Sequence, residues 1–397
     1  MLARFLLPSI SWQWLAWLGP LAWLGIAYAV RMGRRRMVRL RKEASAEAAL
    51  PSPAPRATIL VPVKDEAGNI EQCVRGLLGQ DYPEFDVLVA DDRSTDGTGD
   101  ILDRLAAEFP GRLRVMHIKG LPAGWLGKPH ALHAAVEAHA ASLGDWLLLV
   151  DSDVICEADA LRRLVAVAEG REYAMVSVVT GLIAPTLLEA MVVPAAAALW
   201  AAMFRVSDTN DDNRPASAAA NGQFMLIRRD ALGAVGGHAA VRDRTCEDVE
   251  LARLVKASGR SVRFFLGQHL ARTRMHANYR QMFNGWARNF AGTARHRPHR
   301  LLLALLVLWL AIAGAAVVPV AMAMGAWPVA GAALVQCATI VALLLLIYRE
   351  TGRSAGAALG IALLFPVTFL LVTPLLLNGI RACFGGTVTW RGAAVRA

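Results

Sequence analysis

Long apolar runs near both ends constrain this chain more than any other feature. From Trp12 to Val30 it is apolar and rich in tryptophan. Three further stretches, about Leu301 to Met324, Trp327 to Tyr348 and Ala357 to Ile380, each approach the ~20 residues a helix needs to cross a bilayer. With 55% hydrophobic and only 19% charged residues among 397, the composition is too apolar for a purely soluble protein. Helical membrane segments are therefore expected at both ends.

The net charge of +10 is concentrated in two clusters. Arg31, Arg34, Arg35, Arg36, Arg39, Arg41 and Lys42 form one; Arg272, Arg274, Arg280, Arg288, Arg295, Arg297 and Arg300 form the other, with no acid among them. These two groups of seven exceed the net charge, so the rest of the chain is slightly acidic. That pattern fits the flanks of membrane segments and anionic headgroups, and argues against nucleic acid as a partner. The first cluster follows Val30 directly, which by the positive-inside rule leaves the amino terminus outside and starts the remainder in the cytosol. Ala27-Tyr28-Ala29 has the look of a signal-peptide cleavage site, but signal peptides carry their positive charge ahead of the apolar core, so an uncleaved anchor is expected. At the other end, Arg381, Arg391 and Arg396 argue for a cytosolic tail that three crossings cannot deliver. Either the last stretch, interrupted by Pro366 and Pro374, is re-entrant, or the tail breaks the rule.

The expected organisation is an anchor over 1–30, a basic cytosolic linker over 31–55, a catalytic domain over 56–300, membrane segments over 301–380 and a basic tail over 381–397. Such a protein is multi-pass, in the cell inner or plasma membrane, with its catalytic domain cytosolic. Within that domain, about 187–204 is apolar but holds Glu189 and Pro194, and is expected to lie in the membrane interface rather than span it. The five scattered cysteines have no Cys-x-x-Cys spacing and read as reduced packing residues, not a disulfide frame or zinc site.

After Pro51, Pro53 and Pro55, a stiff segment, strands and helices alternate. Thr58 to Val63, Val87 to Ala90, Leu113 to Ile118 and Trp146 to Val150 read as strands, and Asn69 to Leu78 and about Pro129 to Ala141 as helices. Ser94, Thr95 and Asp96 are expected to cap a helix running to about Phe109. The alternation predicts an open, mostly parallel α/β sheet with flanking helices.

In such sheets ligands bind beyond the carboxyl ends of the strands, where Asp91 and Asp92 follow one strand and Asp151 and Asp153 another. On an extended segment, residues two apart face the same side, so Asp-Ser-Asp can offer both carboxylates to one cavity holding a divalent cation. Taken alone, Asp-x-Asp serves equally to end a strand and open a turn. No strand is followed by Gly-x-Gly-x-x-Gly and there is no Walker loop, so nicotinamide chemistry and ATP hydrolysis lose support. His238 and His276 read as structural or surface histidines.

Five motifs in order, TILVPVKDEAGNI, VLVADDRSTDGT, GWLGKPHAL, WLLLVDSDV and the Glu247-Asp248 pair of RTCEDVELA, resemble family 2 of the glycosyltransferases over roughly 240 residues. The resemblance implies a GT-A-like sheet binding a nucleotide sugar, a UDP-sugar foremost. Pro62 and Glu66 would lie near base and ribose, Asp92 would read the base edge, and Lys128 would lie beside the donor. Asp151 and Asp153 would be the family's Asp-x-Asp, with Asp153 the chief ligand of Mg²⁺ or Mn²⁺, and Asp248 the base of an inverting transfer, with Glu247 beside it. RMHANYRQMFNGWARNFAGTA and GGTVTWRG look like segments of membrane-bound carotenoid and lipid glycosyltransferases, which implies a lipid or lipid-like acceptor. Trp286 would stack on a sugar or lie in the membrane belt, and Arg288 would pair with donor phosphates. Processive synthases carry Gln-x-x-Arg-Trp where this chain has Asn284-Gly285-Trp286-Ala287-Arg288-Asn289, which favours a single transfer over polymerisation. The alternatives are a processive polysaccharide synthase and a non-enzymatic membrane protein that binds a nucleotide sugar.

Overall fold

The computed structural model describes residues 12–45, 49–203, 209–214, 217–276, 278–294, 297–385, 387–390 and 393–396. Of the residues weighed above, Arg295 and Arg391 lie outside these ranges. The described parts of Met1–Arg34, Ala184–Trp200 and Asn278–Gly386 form one compact unit, and those of Arg35–Ile183, Ala201–Ala277 and Thr387–Ala397 the other.

Helix α1 (Leu18–Ser45) runs on well past its apolar part, through the basic cluster. Then β1 (Ala57–Val63), α2 (Ile70–Leu78), β2 (Phe85–Asp92), α3 (Thr98–Glu108), β3 (Leu113–Ile118), α4 (Gly127–Ala138) and β4 (Trp146–Val150) alternate. They are followed by β5 (Val154–Cys156), α5 (Ala160–Gly170), β6 (Met175–Val179), β7 (Gly181–Leu182) and α6 (Leu187–Met203). Next come β8 (Phe224–Arg228), α7 (Arg229–Ala234), α8 (Glu247–Ala257), β9 (Val262–Leu266) and β10 (Ala271–Thr273). Helices α9 (Tyr279–Ala294), α10 (Pro298–Ala323), α11 (Trp327–Arg349), α12 (Ala355–Leu363) and α13 (Phe365–Cys383) precede a hairpin of β11 (Thr387–Trp390) and β12 (Ala393–Arg396).

In the second unit seven strands form one sheet in the order β3-β2-β1-β4-β8-β6-β9. All neighbours are parallel except β8, which is antiparallel to both β4 and β6. The strands form because their runs of branched apolar residues alternate between two buried faces. Ile59, Val61, Val87 and Leu148 pack with Val74 and Leu77 of α2 and Leu102 and Leu105 of α3. Leu60, Leu88, Leu147 and Leu149 pack on the other face with Leu132 of α4 and Leu251 and Val255 of α8.

Register decides which loops meet. Val63 pairs with Asp91, so the segments after β1 and β2 lie side by side. Ser94, Thr95 and Asp96 therefore bond mainly across to the first of them: Asp65 N donates to Ser94 Oγ (2.9 Å), Thr95 N to Asp65 Oδ1 (2.8 Å) and Ala67 N to Asp96 Oδ2 (3.0 Å). Only Asp96 reaches α3, accepting from Thr98 N at 3.1 Å, so the expected cap is mostly a bridge between loops. Antiparallel β8, which the sequence pattern does not reveal, pairs Phe224 with Val150 and so sets Asn221-Gly222-Gln223 beside Asp151. Asp151 N donates to Gln223 O at 3.1 Å.

In the first unit, Leu15–Arg35, Pro298–Ala323, Trp327–Arg349 and Phe365–Cys383 are long and apolar enough to cross a membrane. The stretch expected as one segment over Ala357 to Ile380 is two helices, α12 and α13, which break at Leu364. Pro366 sits in the first turn of α13, where its missing N–H costs nothing, whereas inside a continuous helix it would break a bond. An ion pair between Arg34 and Glu350 joins the end of the apolar part of α1 to the C-terminal end of α11. Helix α6 is tied to that same end: Tyr348 Oη donates to Met191 O at 3.2 Å, and Arg353 donates to Ala184 O.

Candidate active site

The carboxyl edge of β1, β2 and β4 collects most of the residues singled out above. Pro62 is buried in β1 opposite Ala90; the ladder to β4 ends at Leu60, so the missing N–H of Pro62 interrupts nothing there. Glu66 N donates to Thr98 Oγ1 (2.9 Å), and its carboxylate accepts from Asn69 Nδ2 (2.8 Å). Asp92, 4% exposed, accepts from Arg93 Nε at 2.8 Å and Nη2 at 2.9 Å in a bidentate pair. Against this carboxylate lies the start of α4: a Cβ added to Gly127 would come within 2.6 Å of Asp92 Oδ2, so only glycine permits the approach.

One residue on, Lys128 joins three elements. Its Nζ lies 2.6 Å from Asp151 Oδ1 after β4 and 3.2 Å from Glu247 Oε1 on α8, and donates to Gly222 O, before β8, at 3.2 Å. An ammonium has three N–H groups, and all three are used. Asp151 thus meets a cation from its own chain. Asp151 and Asp153 do not lie on the extended segment expected of them, because Val154 N donates to Asp151 O at 3.2 Å and closes a tight turn around Ser152.

Asp248 stands in the first turn of α8. Its Oδ2 accepts from Gly222 N at 2.6 Å and its Oδ1 from Val249 N at 2.8 Å. Burial, then repulsion from Glu247, push its pKa up from the ordinary 3.8 to about 6, against the opposing pull of Lys128 and the two N–H groups. Burial works against the charge on Lys128, but Asp151, Glu247 and Asp248 outweigh it and hold the lysine above its usual range. The site therefore offers a carboxylate poised to change protonation near neutral pH beside a permanently charged ammonium. That pairing suits removal of a proton from a hydroxyl.

Among the described residues, no three His, Cys, Asp or Glu side chains converge to hold a cation unaided. A carboxylate at Asp153, completed by phosphate oxygens of a substrate, fits the oxygen-rich, partly substrate-supplied shell that Mg²⁺ or Mn²⁺ accepts.

Residues 21–397 match glycosyl transferase family 21. The chain belongs to that family. As a family 21 member it carries the family-2-type motifs on a sheet of the GT-A kind. The fold is shared with a mannosyltransferase of Pyrobaculum calidifontis solved in complex with GDP-Man and Mn²⁺, at 19% identity and a TM-score of 0.55 over 90% of this chain and 98% of that one. A beta-monoglucosyldiacylglycerol synthase of Synechocystis sp. is 36% identical over 115 residues, 28% of this chain and 23% of the relative. A polyprenol monophosphomannose synthase of Mycolicibacterium smegmatis is 38% identical over 65 residues, 16% of this chain and 24% of the relative. The matched segments thus span about a quarter of these relatives' own length.

Two of the anticipated residues of this family 21 chain belong to the first unit. Trp286 and Arg288 lie on α9, in the other unit, where Trp286 is only 2% exposed and packs on Phe290 with ring centroids 5.7 Å apart. Its ring is part of the packed core of that unit. Conversely, Gly127, Gly222 and His238 take part in the site's geometry. His238 is 1% exposed and His276 5%, so of the two readings, structural or surface, burial fits the structural one for both. Two consecutive glycines ahead of His238 were the available signal. Gly236 and Gly237 adopt φ of 83° and 59°, the left-handed region, and turn the following side chain inward.

Proposed function

We propose that this protein transfers a sugar from a nucleoside diphosphate sugar to a hydroxyl of a membrane lipid, with inversion at the anomeric carbon and Asp248 as the base. The observation that carries the reading is the placement of Asp248: half-buried, its pKa raised to about 6, and bonded to Gly222 N beside the Lys128 cluster at the sheet's carboxyl edge. Asp248 takes the proton of the acceptor hydroxyl as its oxygen bonds to the anomeric carbon. The bond from that carbon to the diphosphate breaks with its electrons, and the nucleoside diphosphate leaves on the face opposite the attack. Lys128 bridges Asp151 and Glu247 and fixes their spacing, and Asp92 with Arg93 forms the wall toward the base. A divalent cation bound by Asp153 and the diphosphate would stabilise the charge of the leaving group.

A lipid acceptor is supported by the apolar helices of the first unit and by the partial similarity to the diacylglycerol and polyprenol enzymes. A cytosolic catalytic unit in a multi-pass protein is supported by the basic run of α1, and by the ion pair that brings the end of the apolar part of α1 beside the C-terminal end of α11. The test uses the full chain in lipid nanodiscs with UDP-sugars first, then GDP-sugars, total membrane lipids as acceptors and mass spectrometry of the products. A glycolipid made only with Mg²⁺ or Mn²⁺, and lost in Asp153→Ala and Asp248→Asn, is the expected result. Undiminished transfer by both variants would overturn the assignment.

A further inference from the structure

His238 sits where a ligand is called for. It is the second residue of the short turn Gly237–Val241, its ring is 1% exposed, and neither ring nitrogen has a hydrogen-bond partner among the described residues. The ring borders a cavity of ≈ 10 Å³ together with Lys128, Glu247, Asp248 and Gly222, the rest of the wall being Leu132, Leu149, Met225 and Leu251. Buried polar atoms are nearly always satisfied, and each one left bare is costly. The leucines and the methionine have nothing to offer an imidazole, and Lys128 has already spent its three N–H groups on Asp151, Glu247 and Gly222. The cavity is about large enough for the centre of one water molecule, and too small for a sugar or an acyl chain. Such a water would donate to a carboxylate oxygen of the Glu247-Asp248 pair. With its remaining capacity it would bond the nearer ring nitrogen, as donor or acceptor according to the tautomer.

We propose that His238 is a positioning residue for the base: with one water held in this cavity, it supports the carboxylate of Asp248, beside Glu247, from within the domain. The inference rests on the glycosyl-transfer reading above. Burial, and then the charge of Lys128, push the pKa of His238 down to about 3, so the ring is neutral at every working pH and does not compete with Asp248 for the acceptor's proton. The charged groups facing the pair are Lys128 from α4 and the two acids themselves, with Gly222 N and Val249 N as the fixed donors. Support from a water anchored by a neutral ring adds to these without adding charge.

The experiment compares His238→Phe, which fills the cavity with apolar atoms that suit Leu132, Leu149 and Met225, with His238→Gln, which keeps a donor and an acceptor. Both are measured in the full chain in nanodiscs, alongside wild type and Asp248→Asn. His238→Phe is expected to fold with an unchanged or higher Tm yet to lose about tenfold in kcat, the scale of one hydrogen bond to a charged group, at an unchanged donor KM. Its acid limb should move to higher pH, and His238→Gln should recover most of the rate. An experimental structure of the wild type that resolves ordered water should show one molecule in the cavity. Equal rates and pH profiles for wild type and His238→Phe, or a cavity without water, would overturn the proposal. If Asp248→Asn retains full activity, the base assignment fails first and the role of His238 falls with it, whereas an active, Asp248-dependent enzyme indifferent to His238 defeats this inference alone.

Discussion

Two loops at the same sheet edge hold their aspartates in opposite ways. Asp92 is locked by the guanidinium of its own neighbour, Arg93, in a bidentate pair that leaves it 4% exposed. Asp248 has an acid beside it in Glu247, shares a distant ammonium with two other carboxylates, and relies on two backbone N–H groups. A fully paired carboxylate is a fixed surface against which something can be recognised; one whose charge is only partly compensated can accept a proton. The geometry thus sets a fixed carboxylate and a titratable one along a single edge.

The comparison breaks most readily at Asp248. Asp248→Asn should lower kcat by about 10²–10⁴ with little change in donor KM. The same loss in Asp92→Asn would erase the distinction. Next in size is Lys128→Met, which leaves Asp151 and Glu247 without their common cation. Removing one partner of a fully buried pair costs ~3–5 kcal/mol. With 30% of the lysine side chain exposed, a loss of about 2 kcal/mol is expected in denaturant titration, together with an acid limb moved upward.

Substituting Gly127→Ala sharpens the other half of the comparison. Its Cβ would collide with Asp92 Oδ2, so donor KM should rise about tenfold while kcat holds, the reverse of the Asp248→Asn pattern. The smallest effect is the pH dependence of the wild type. With Asp248 as the proposed base, active only when ionised, kcat/KM should fall about tenfold per pH unit below an apparent pKa of about 6. The stability linkage has the opposite sense: a carboxyl whose pKa is raised on folding contributes stability below about pH 4 that is lost as pH rises through about 6. A limb that survives in Asp248→Asn would assign it to another group.

Much of the fold was legible. Continuous apolar runs of five to seven residues, such as Trp146–Val150, announce strands covered on both faces, and the strands assigned over 113–118 and 146–150 are those found. The antiparallel β8 was not legible, since FMLIR carries no sign of its direction, which is settled by pairing with β4 and β6. The single closing membrane stretch was misjudged at Leu364. Apolar composition runs straight through it, and only the helix geometry shows that Pro366 begins a new helix.

In the candidate site, the acids were visible because they follow strands, and the register of a parallel sheet must bring such positions to one edge. Their partners were not visible. Lys128 is 23 residues from Asp151 and 119 from Glu247 in the sequence, so their meeting depends on how α4 and α8 pack on one face of the sheet. The sequence by itself determined the element types, the apolar ends, the charge asymmetry and the set of residues able to do chemistry, because those follow from local pattern. Tertiary structure alone decided which acid is fully paired and which is left with a raised pKa, and that an inward-turned histidine shares the cavity beside Asp248. Burial and long-range electrostatics arise only when distant segments exclude water together.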